Sequence, residues 1–454
     1  MKKGTWIRTG VVLAMVLLGL QPLGAQETQT DNPFFLERAT PFRVPPFDKI
    51  TKEHYLPAFQ EGMRRQQSEI DAIIADPEAP TFANTIAAMD HSGIFLSDVA
   101  AVFYALLGAE TNPDLQALAR QISPLLSAHR DNISLNEKLF ARVQAVYAQR
   151  GGLTLTPEER YLLENTTKGF IRSGALLGEA GKARLRDLNR ELSLLGLKFG
   201  ENLLAETNSS YIVIERKSDL GGLSEGIVAT AAETAQAMKL PGKWVFTAQK
   251  PSWIPFLQYS TRRDLRKKLY LAYVARGDRD NANDNKEIVK KIIGLRAERA
   301  RMLGYPTYAH FVLEERMAKD PATVMDFLQK LWTPALKRAR MEEAEMQAII
   351  DREKGGFRLA SWDWWYYAEK LRQEKYTFDD TLLRPYFSLE NVKQGIFALC
   401  EKLYGLRFLR RDDLPRYHPE VLVYEVQEAD GAHVGLLYMD FHPRPGKRGG
   451  AWSG

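Results

Sequence analysis

The groups in this chain that could do covalent or metal-assisted chemistry are few: seven histidines, one cysteine and scattered carboxylates. Metal-assisted hydrolysis of a peptide bond needs about three protein ligands, an open position for water and a carboxylate to take the water's proton. Two histidines one helical turn apart, with a glutamate after the first, would place all of these on one helix face. His54, His91, His129, His310, His418, His433 and His442 do not meet that pattern, because none precedes a glutamate and no two are four apart.

One pair needs a further test. A two-residue turn at Asp430-Gly431 would set His442 opposite Pro419, beside His418, with Glu420 or Asp440 near enough to complete a surface metal site. The plainer reading, two polar residues at the open end of a hairpin, is the one adopted. Cys400 stands among Leu389, Val392, Ile396, Leu399 and Leu403 at helical spacing, which reads as a buried structural thiol rather than a reactive one. With a single cysteine no intrachain disulfide can form. No phosphate-binding loop or dinucleotide fingerprint is present. No catalytic and no metal-binding residue is assigned on these grounds.

The hairpin is read from two β-branched and apolar runs, residues 421–424 and 434–439, on either side of Asp430-Gly431. Beyond Phe441 comes a basic, glycine-rich run that ends in Gly449-Gly450-Ala451-Trp452-Ser453-Gly454. Paired glycines beside an aromatic suggest a strand closely approached by another backbone. Gly449, Gly450, Ala451 and Trp452 are therefore the candidate substrate-binding residues, an extended peptide adding to their edge. A plain loop is the alternative.

The run Tyr417-His418-Pro419-Glu420, then Tyr438-Met439-Asp440-Phe441 and the stretch from Arg444 to Trp452, resembles the thimet oligopeptidase family of zinc metallopeptidases, its peptidyl-dipeptidase branch above all. Other segments follow in the family's order: Asn32-Pro33-Phe34, residues 41–50, residues 54–63 and residues 79–86. Farther along stand Leu303-Gly304-Tyr305, Met317-Ala318, Trp362-Asp363-Trp364, Tyr367-Ala368-Glu369 and Arg384-Pro385-Tyr386-Phe387. Each is weak alone; their joint order is specific.

The resemblance implies a multi-helical, zincin-like architecture of the neurolysin and thimet oligopeptidase kind, with a deep cleft between two mainly helical lobes. It implies oligopeptide substrates, release of C-terminal dipeptides, and zinc as the cofactor of the full-length family. Family members continue from this point into a helix carrying H-E-x-x-H, and this chain does not. Residues 34–454 are thus expected to be the N-terminal part of a longer enzyme, cut by a frameshift, a premature stop or an incomplete reading frame. The chain is expected to bind no zinc itself, to be inactive alone, and to expose a strand edge and helix faces meant for the other lobe. A separately made C-terminal half is one candidate partner. A non-catalytic helical peptide-binding or scaffold protein is the alternative from another class.

The elements that must hold these residues read as helix after helix. Thr156-Pro157-Glu158-Glu159 forms a capping box, Asp320-Pro321 opens a helix with Val324, Phe327, Leu328 and Leu331 on one face, and Ser388 and Gly405 bracket the helix of Cys400. Leu185, Leu188, Leu192, Leu195, Phe199 and Leu203 keep the spacing of a buried stripe. Strands are expected only over residues 211–214, 244–247 and the hairpin, so the fold class is mainly α with small β elements. Arg262, Arg263, Arg266, Lys267 and Lys268 read as a solvated basic face, and Trp362, Trp364, Trp365, Tyr366 and Tyr367 as lobe packing. Lys2, Lys3 and Arg8 before the apolar run 11–20, with Ala25 at the cleavage position, predict a signal peptide over 1–25, a polar tether over 26–33, and export to a periplasmic or extracellular space. A net charge of +5 on 454 residues demands neither nucleic acid nor an anionic membrane as partner.

Overall fold

The computed structural model describes residues 31–377, 382–383 and 385–453. The signal peptide read over 1–25, most of the tether and Arg384 lie outside the described residues.

Caps set the first helices. α1 (Lys52–Ala75) begins where His54 Nδ1 accepts the Thr51 N–H at 3.0 Å. α2 (Ile94–Ala109) follows, then α3 (Pro113–Ser134), α4 (Glu137–Ala148) and α5 (Pro157–Arg172), the last three capped by Asn112, Asn136 and Thr156. The Thr156–Glu159 box is present as read from the sequence. α1 packs on α2 and α3, and Phe103 meets Tyr55 and Phe59 edge-on at 5.1 and 5.4 Å in the centre of that contact. Ile70, Ile86, Leu139, Val143 and Leu163 make a second core where α4 and α5 meet.

α6 (Glu179–Ser209) is the spine, about 46 Å long at 1.5 Å per residue. It packs on α3 and on α10 (Lys286–Met302). Of its expected stripe, Leu185 and Leu188 are fully buried and the remaining four are half-buried. β1 (Tyr211–Ile214) then pairs antiparallel with β2 (Trp244–Thr247) across α7 (Glu225–Ala237), as the two strand readings require. α8 (Lys250–Tyr259) and α9 (Arg263–Val274) cover that small sheet with Phe256, Leu257 and Leu269.

The basic cluster of α9 is only in part the solvated face expected of it: Lys267 and Lys268 are exposed, but Arg262 and Arg263 are half-buried and Arg266 is buried. Arg266 is only 1% exposed, and Arg263 and Arg266 converge on Asp363, which is fully buried, with Nη2 to carboxylate distances of 2.8 and 2.9 Å. Sequence spacing shows which charges share a face but not that a carboxylate a hundred residues away will be delivered beneath it. The neighbouring aromatics do pack: Tyr366 lies under the Arg266 guanidinium at 4.1 Å, and Trp365 meets Trp253.

α11 (Tyr308–Leu313), α12 (Pro321–Arg352) and α13 (Trp364–Tyr376) follow, and α12 is buried only in its second half, at Met346, Ile349 and Ile350. The face expected from Phe327, Leu328 and Leu331 exists but is open to solvent, together with Trp332. α14 (Leu389–Tyr404) is capped by Ser388 and ended by Gly405 at φ +76°, as read. Its expected buried stripe is also open: Leu389, Val392, Ile396, Leu399 and Leu403 are exposed, and Cys400 is half-buried rather than buried. The helix buries Phe397 instead, stacked on Phe408 at 4.1 Å.

A three-stranded antiparallel sheet closes the described chain: β3 (Arg407–Arg410), β4 (Leu422–Gln427) and β5 (His433–Met439), in that order. The hairpin turns through residues 429–431 with Gly431 at φ +90°, and an irregularity near Val426 and Gln427 restores the register, so that Leu422 still faces Met439. The sheet rests on the N-terminal segment through Val421, Val423 and Val44. The architecture is mainly α with two small antiparallel sheets.

Candidate functional site

After β5 the chain turns at Asp440 and is fastened to α2 by charge. Arg444 grips Asp440 with both terminal nitrogens at 2.8 Å, reaches Glu110 Oε2 with Nε at 2.8 Å, and donates to the Ala109 carbonyl at 3.0 Å. Lys447 Nζ adds the Asp440 carbonyl at 2.7 Å and its carboxylate at 3.0 Å, and the Tyr417 hydroxyl donates to the same carboxylate at 3.0 Å. Burial pushes the Asp440 carboxyl up, but the bonds from Arg444, Lys447 and Tyr417 outweigh it and hold the group down at about 2. Burial beside that carboxylate pushes the Tyr417 hydroxyl well up.

Backbone bonds complete the clasp. Thr111 N–H donates to the Gly446 carbonyl at 2.8 Å and Arg448 N–H to the Gly108 carbonyl at 2.9 Å. A Cβ on Gly446 would sit 2.4 Å from the Thr111 oxygen, so only glycine allows this approach. Asn208 Nδ2 donates to the Pro445 carbonyl at 2.9 Å, tying the segment to the end of α6 as well.

The clasp makes one wall of a cleft of about 850 Å3, within the range of small-ligand sites. Pro443, Arg444 and Pro445 face the end of α6, the α7 side chains Ile227, Thr230 and Thr234, and the start of α8 around Pro251. Among the described lining residues Arg444 is the one charged group, and no carboxylate, imidazole or thiol joins it. Such a cleft can hold a peptide by apolar contact and hydroxyl or amide hydrogen bonds.

Gly449, Gly450, Ala451 and Trp452 lie beyond the clasp as exposed loop, outside the cleft and without ladder bonds, where a strand had been one expectation. Trp452 leans on α2, its ring 3.7 Å from the place a Gly108 Cβ would occupy. The prolines on both sides of Arg444 remove the N–H groups a ladder would need there.

The fit of a hydrolytic metal can be judged from the donors. His418 Nδ1 accepts the Glu420 N–H at 3.2 Å, Asp440 is already filled by three donors, and the Glu420 carboxylate, 3.9 Å from His418 Nδ1, lies 3.6 Å from Arg444 Nη1, so both acids expected beside His418 and His442 already face a cation. His54 caps α1, His129 is buried against Gln66 Oε1 at 2.8 Å, and His433 meets Glu425 at 3.1 Å. Among the described residues no three histidine, cysteine or carboxylate side chains are arranged to hold a metal ion, and the one acidic trio, Asp278, Asp280 and Asp284, is filled by the Lys286 ammonium. These residues do not fit zinc.

Two features were missed in the sequence. The cleft residues of α7 carry only threonines and small apolar groups, a composition without a chemical signature. Gly222-Leu223-Ser224-Glu225-Gly226 matches G-x-S-x-G, but Ser224 caps α7 after a 3-10 turn over Lys217–Leu220, not after a strand. Gly222 is needed there because a Cβ would strike the Tyr259 carbonyl at 2.1 Å.

Residues 256–454 match the family described as Peptidase family M3. Over 426 residues the chain is 40% identical to the dipeptidyl carboxypeptidase of Escherichia coli (strain K12), covering 94% of this chain and 63% of that protein. It is 39% identical to the dipeptidyl carboxypeptidase of Salmonella typhimurium, covering 93% and 62%, and 30% identical to oligopeptidase A of Escherichia coli, covering 91% and 61%. The chain therefore spans less than two thirds of the length of these relatives.

Proposed function

The chain belongs to peptidase family M3, the thimet oligopeptidase family, and from that premise we propose that it is the peptide-holding part of an exported peptidyl-dipeptidase, which releases dipeptides from the C-termini of oligopeptides. Residues 1–25 would be the signal peptide removed on export, and residues 34–454 the folded part. The observation that carries the reading is the cleft beside the Arg444 clasp, large enough for a peptide and lined by hydroxyl, amide and apolar groups, with Arg444 the one charged side chain among the described lining residues. In this family zinc supplies the polarised water; the side chains here do not fit it, so its ligands are assigned to chain outside these residues. What this chain contributes is binding and orientation, through Pro443, Pro445 and the α7 face, and exclusion of water by the apolar lining.

The open faces of α12 and α14 fit the same reading. We assign them to the third or more of the relatives' length that this chain does not span, whether joined to it or made separately. Its docking would bring the metal ligands to the cleft.

The test is direct. The purified chain should bind an oligopeptide with a free C-terminus, release no dipeptide with zinc present, and gain release on mixing with the unspanned C-terminal segment of the Escherichia coli relative. Dipeptide release by the chain alone overturns the division of labour, and absence of peptide binding overturns the cleft. The same cleft also favours a second reading, a non-catalytic peptide-binding or scaffold protein; binding without release in the mixture would select it.

A further inference from the structure

A second cavity, of about 400 Å3, lies away from the cleft, enclosed by α3, α6, α10, α11 and the end of α5. Its walls carry three guanidiniums, Arg130, Arg172 and Arg299, among serine hydroxyls such as Ser127 and Ser134. The three arginines are not in equal circumstances. Arg172 is satisfied, bonded to Glu314, to the Phe311 carbonyl at 2.7 Å and to the Tyr305 hydroxyl at 3.2 Å.

Arg299 is not. Among the described residues its one hydrogen bond runs from Nη1 to Asn189 Oδ1 at a long 3.3 Å, its Nε is buried without a partner, and no carboxylate comes within ion-pairing distance. It rests instead near the Phe311 ring at 5.3 Å. A half-buried guanidinium whose Nε is sealed from water without a partner is costly, and desolvation pushes Arg299 below its usual range. Arg130, exposed at the rim, has no hydrogen bond or ion pair of its own among the described residues.

One acid faces this group. Asp131 is buried and takes Asn189 Nδ2 at 2.8 Å, so the Asn189 amide stands between it and Arg299. Burial pushes the Asp131 carboxyl up, against the Asn189 hydrogen bond and the pull of the nearby arginines. With Arg172 neutralised by Glu314, two cations face one partly compensated acid.

We infer that this cavity binds a small tetrahedral oxyanion, phosphate or a phosphomonoester, through Arg299 and Arg130 with the serine hydroxyls as further donors. Charge-assisted bonds from guanidinium to such an anion are strong and geometrically matched. The volume leaves room for a substituent on one oxygen.

Equilibrium dialysis of the chain at fixed ionic strength, with radiolabelled inorganic phosphate in one arm and glycerol phosphate in the other, reads the site directly. Saturable binding of one equivalent is expected, weakened about tenfold or more by Arg299→Met and by Arg130→Met. Arg358→Met, a distant surface change, should leave it intact. Because Arg130 is exposed, its variant folds whether or not Arg299→Met does. Tighter glycerol phosphate identifies a phosphomonoester site and equal binding identifies the free ion. Non-saturable uptake, or binding unchanged in both variants, overturns the inference.

Discussion

Replacing Asp440 by Asn tests the clasp that shapes the cleft. The carboxylate receives both arms of Arg444, the Lys447 ammonium and the Tyr417 hydroxyl, and its side chain is only 9% exposed. It is held at about 2 against an ordinary 3.8, and that difference is worth roughly 2–3 kcal/mol at neutral pH. A carboxyl held low in the folded state gives its full contribution above the ordinary value and loses it as pH falls from there through about 2. Asparagine lacks the charge at every pH and turns an amide N–H toward Arg444 or Lys447, which are donors too.

The readout is amide hydrogen exchange at Thr111 and Arg448, whose N–H groups bond across the clasp. In Asp440→Asn at pH 7 these amides should exchange roughly 30- to 150-fold faster than in the wild type, the factor that 2–3 kcal/mol gives. Taking the ratio of variant to wild type at each pH removes the intrinsic exchange rate and the titration of every other carboxylate. That ratio should hold from pH 7 to about 5 and shrink to a few-fold near pH 2.5. Protection at pH 7 within threefold of wild type, or a ratio that does not fall in acid, would refute the assignment. Peptide binding should weaken in parallel, since Pro443 and Pro445 would lose their anchor.

Four other expectations follow from the same geometry. Asp363→Ala leaves Arg266 buried with the Ser260 carbonyl and no carboxylate, so urea or thermal unfolding should show a loss of about 3–5 kcal/mol, and a loss under about 1 would count against the buried pair. Gly446→Ala forces the clasp off Thr111 and should cost about 1–3 kcal/mol locally, seen as faster exchange at Thr111 with little change in the global melt. Ile396→Ser, Leu399→Ser and Leu403→Ser together should raise the monomer fraction on gel filtration, while each exposed change shifts stability by no more than about 0.5 kcal/mol. Dialysis against a chelator should leave the melting temperature of the purified chain where it was; a fall that zinc reverses would show a metal set absent from the geometry described here.

Local signals were the legible part of the sequence. The capping boxes, the proline starts and the Gly405 stop depend on neighbours within four residues, and each stands where its pattern placed it. The hairpin too is local, and its strands pair as read even though the turn is longer by one residue and compensated within the strands. What periodicity could not supply was the other side of each contact. The α9 basic run gave no hint that Asp363 would lie under it, and the cleft is built from α6, α7, α8 and the terminal segment, parts far apart in sequence with no distinctive chemistry in any one of them.

α14 shows how a correct pattern can lead to a wrong burial. Leu389, Val392, Ile396, Leu399 and Leu403 are spaced three, four, three and four residues apart, the seam spacing of a helix that packs lengthwise on another helix. Opposite that seam, Phe397 already meets Phe408 and Tyr424, at 4.1 and 4.9 Å, so the helix is fixed to the sheet on one side and unpartnered on the other. A helix needs only one such face to fold, and the second costs solubility unless something covers it. The open half of α12, with Phe327, Leu331 and Trp332, presents the same surplus. Two lengthwise apolar seams on separate helices suit a helical occupant better than a globular one or an extended peptide. A second copy of the chain could satisfy them only by pairing identical seams about a two-fold axis, which makes the dimer's stability fall with dilution. The C-terminal segment should instead protect Ile396 and Leu331 from exchange at equimolar ratio. It should also abolish any such dimer, and persistence of the dimer in its presence would assign the seams to self-association.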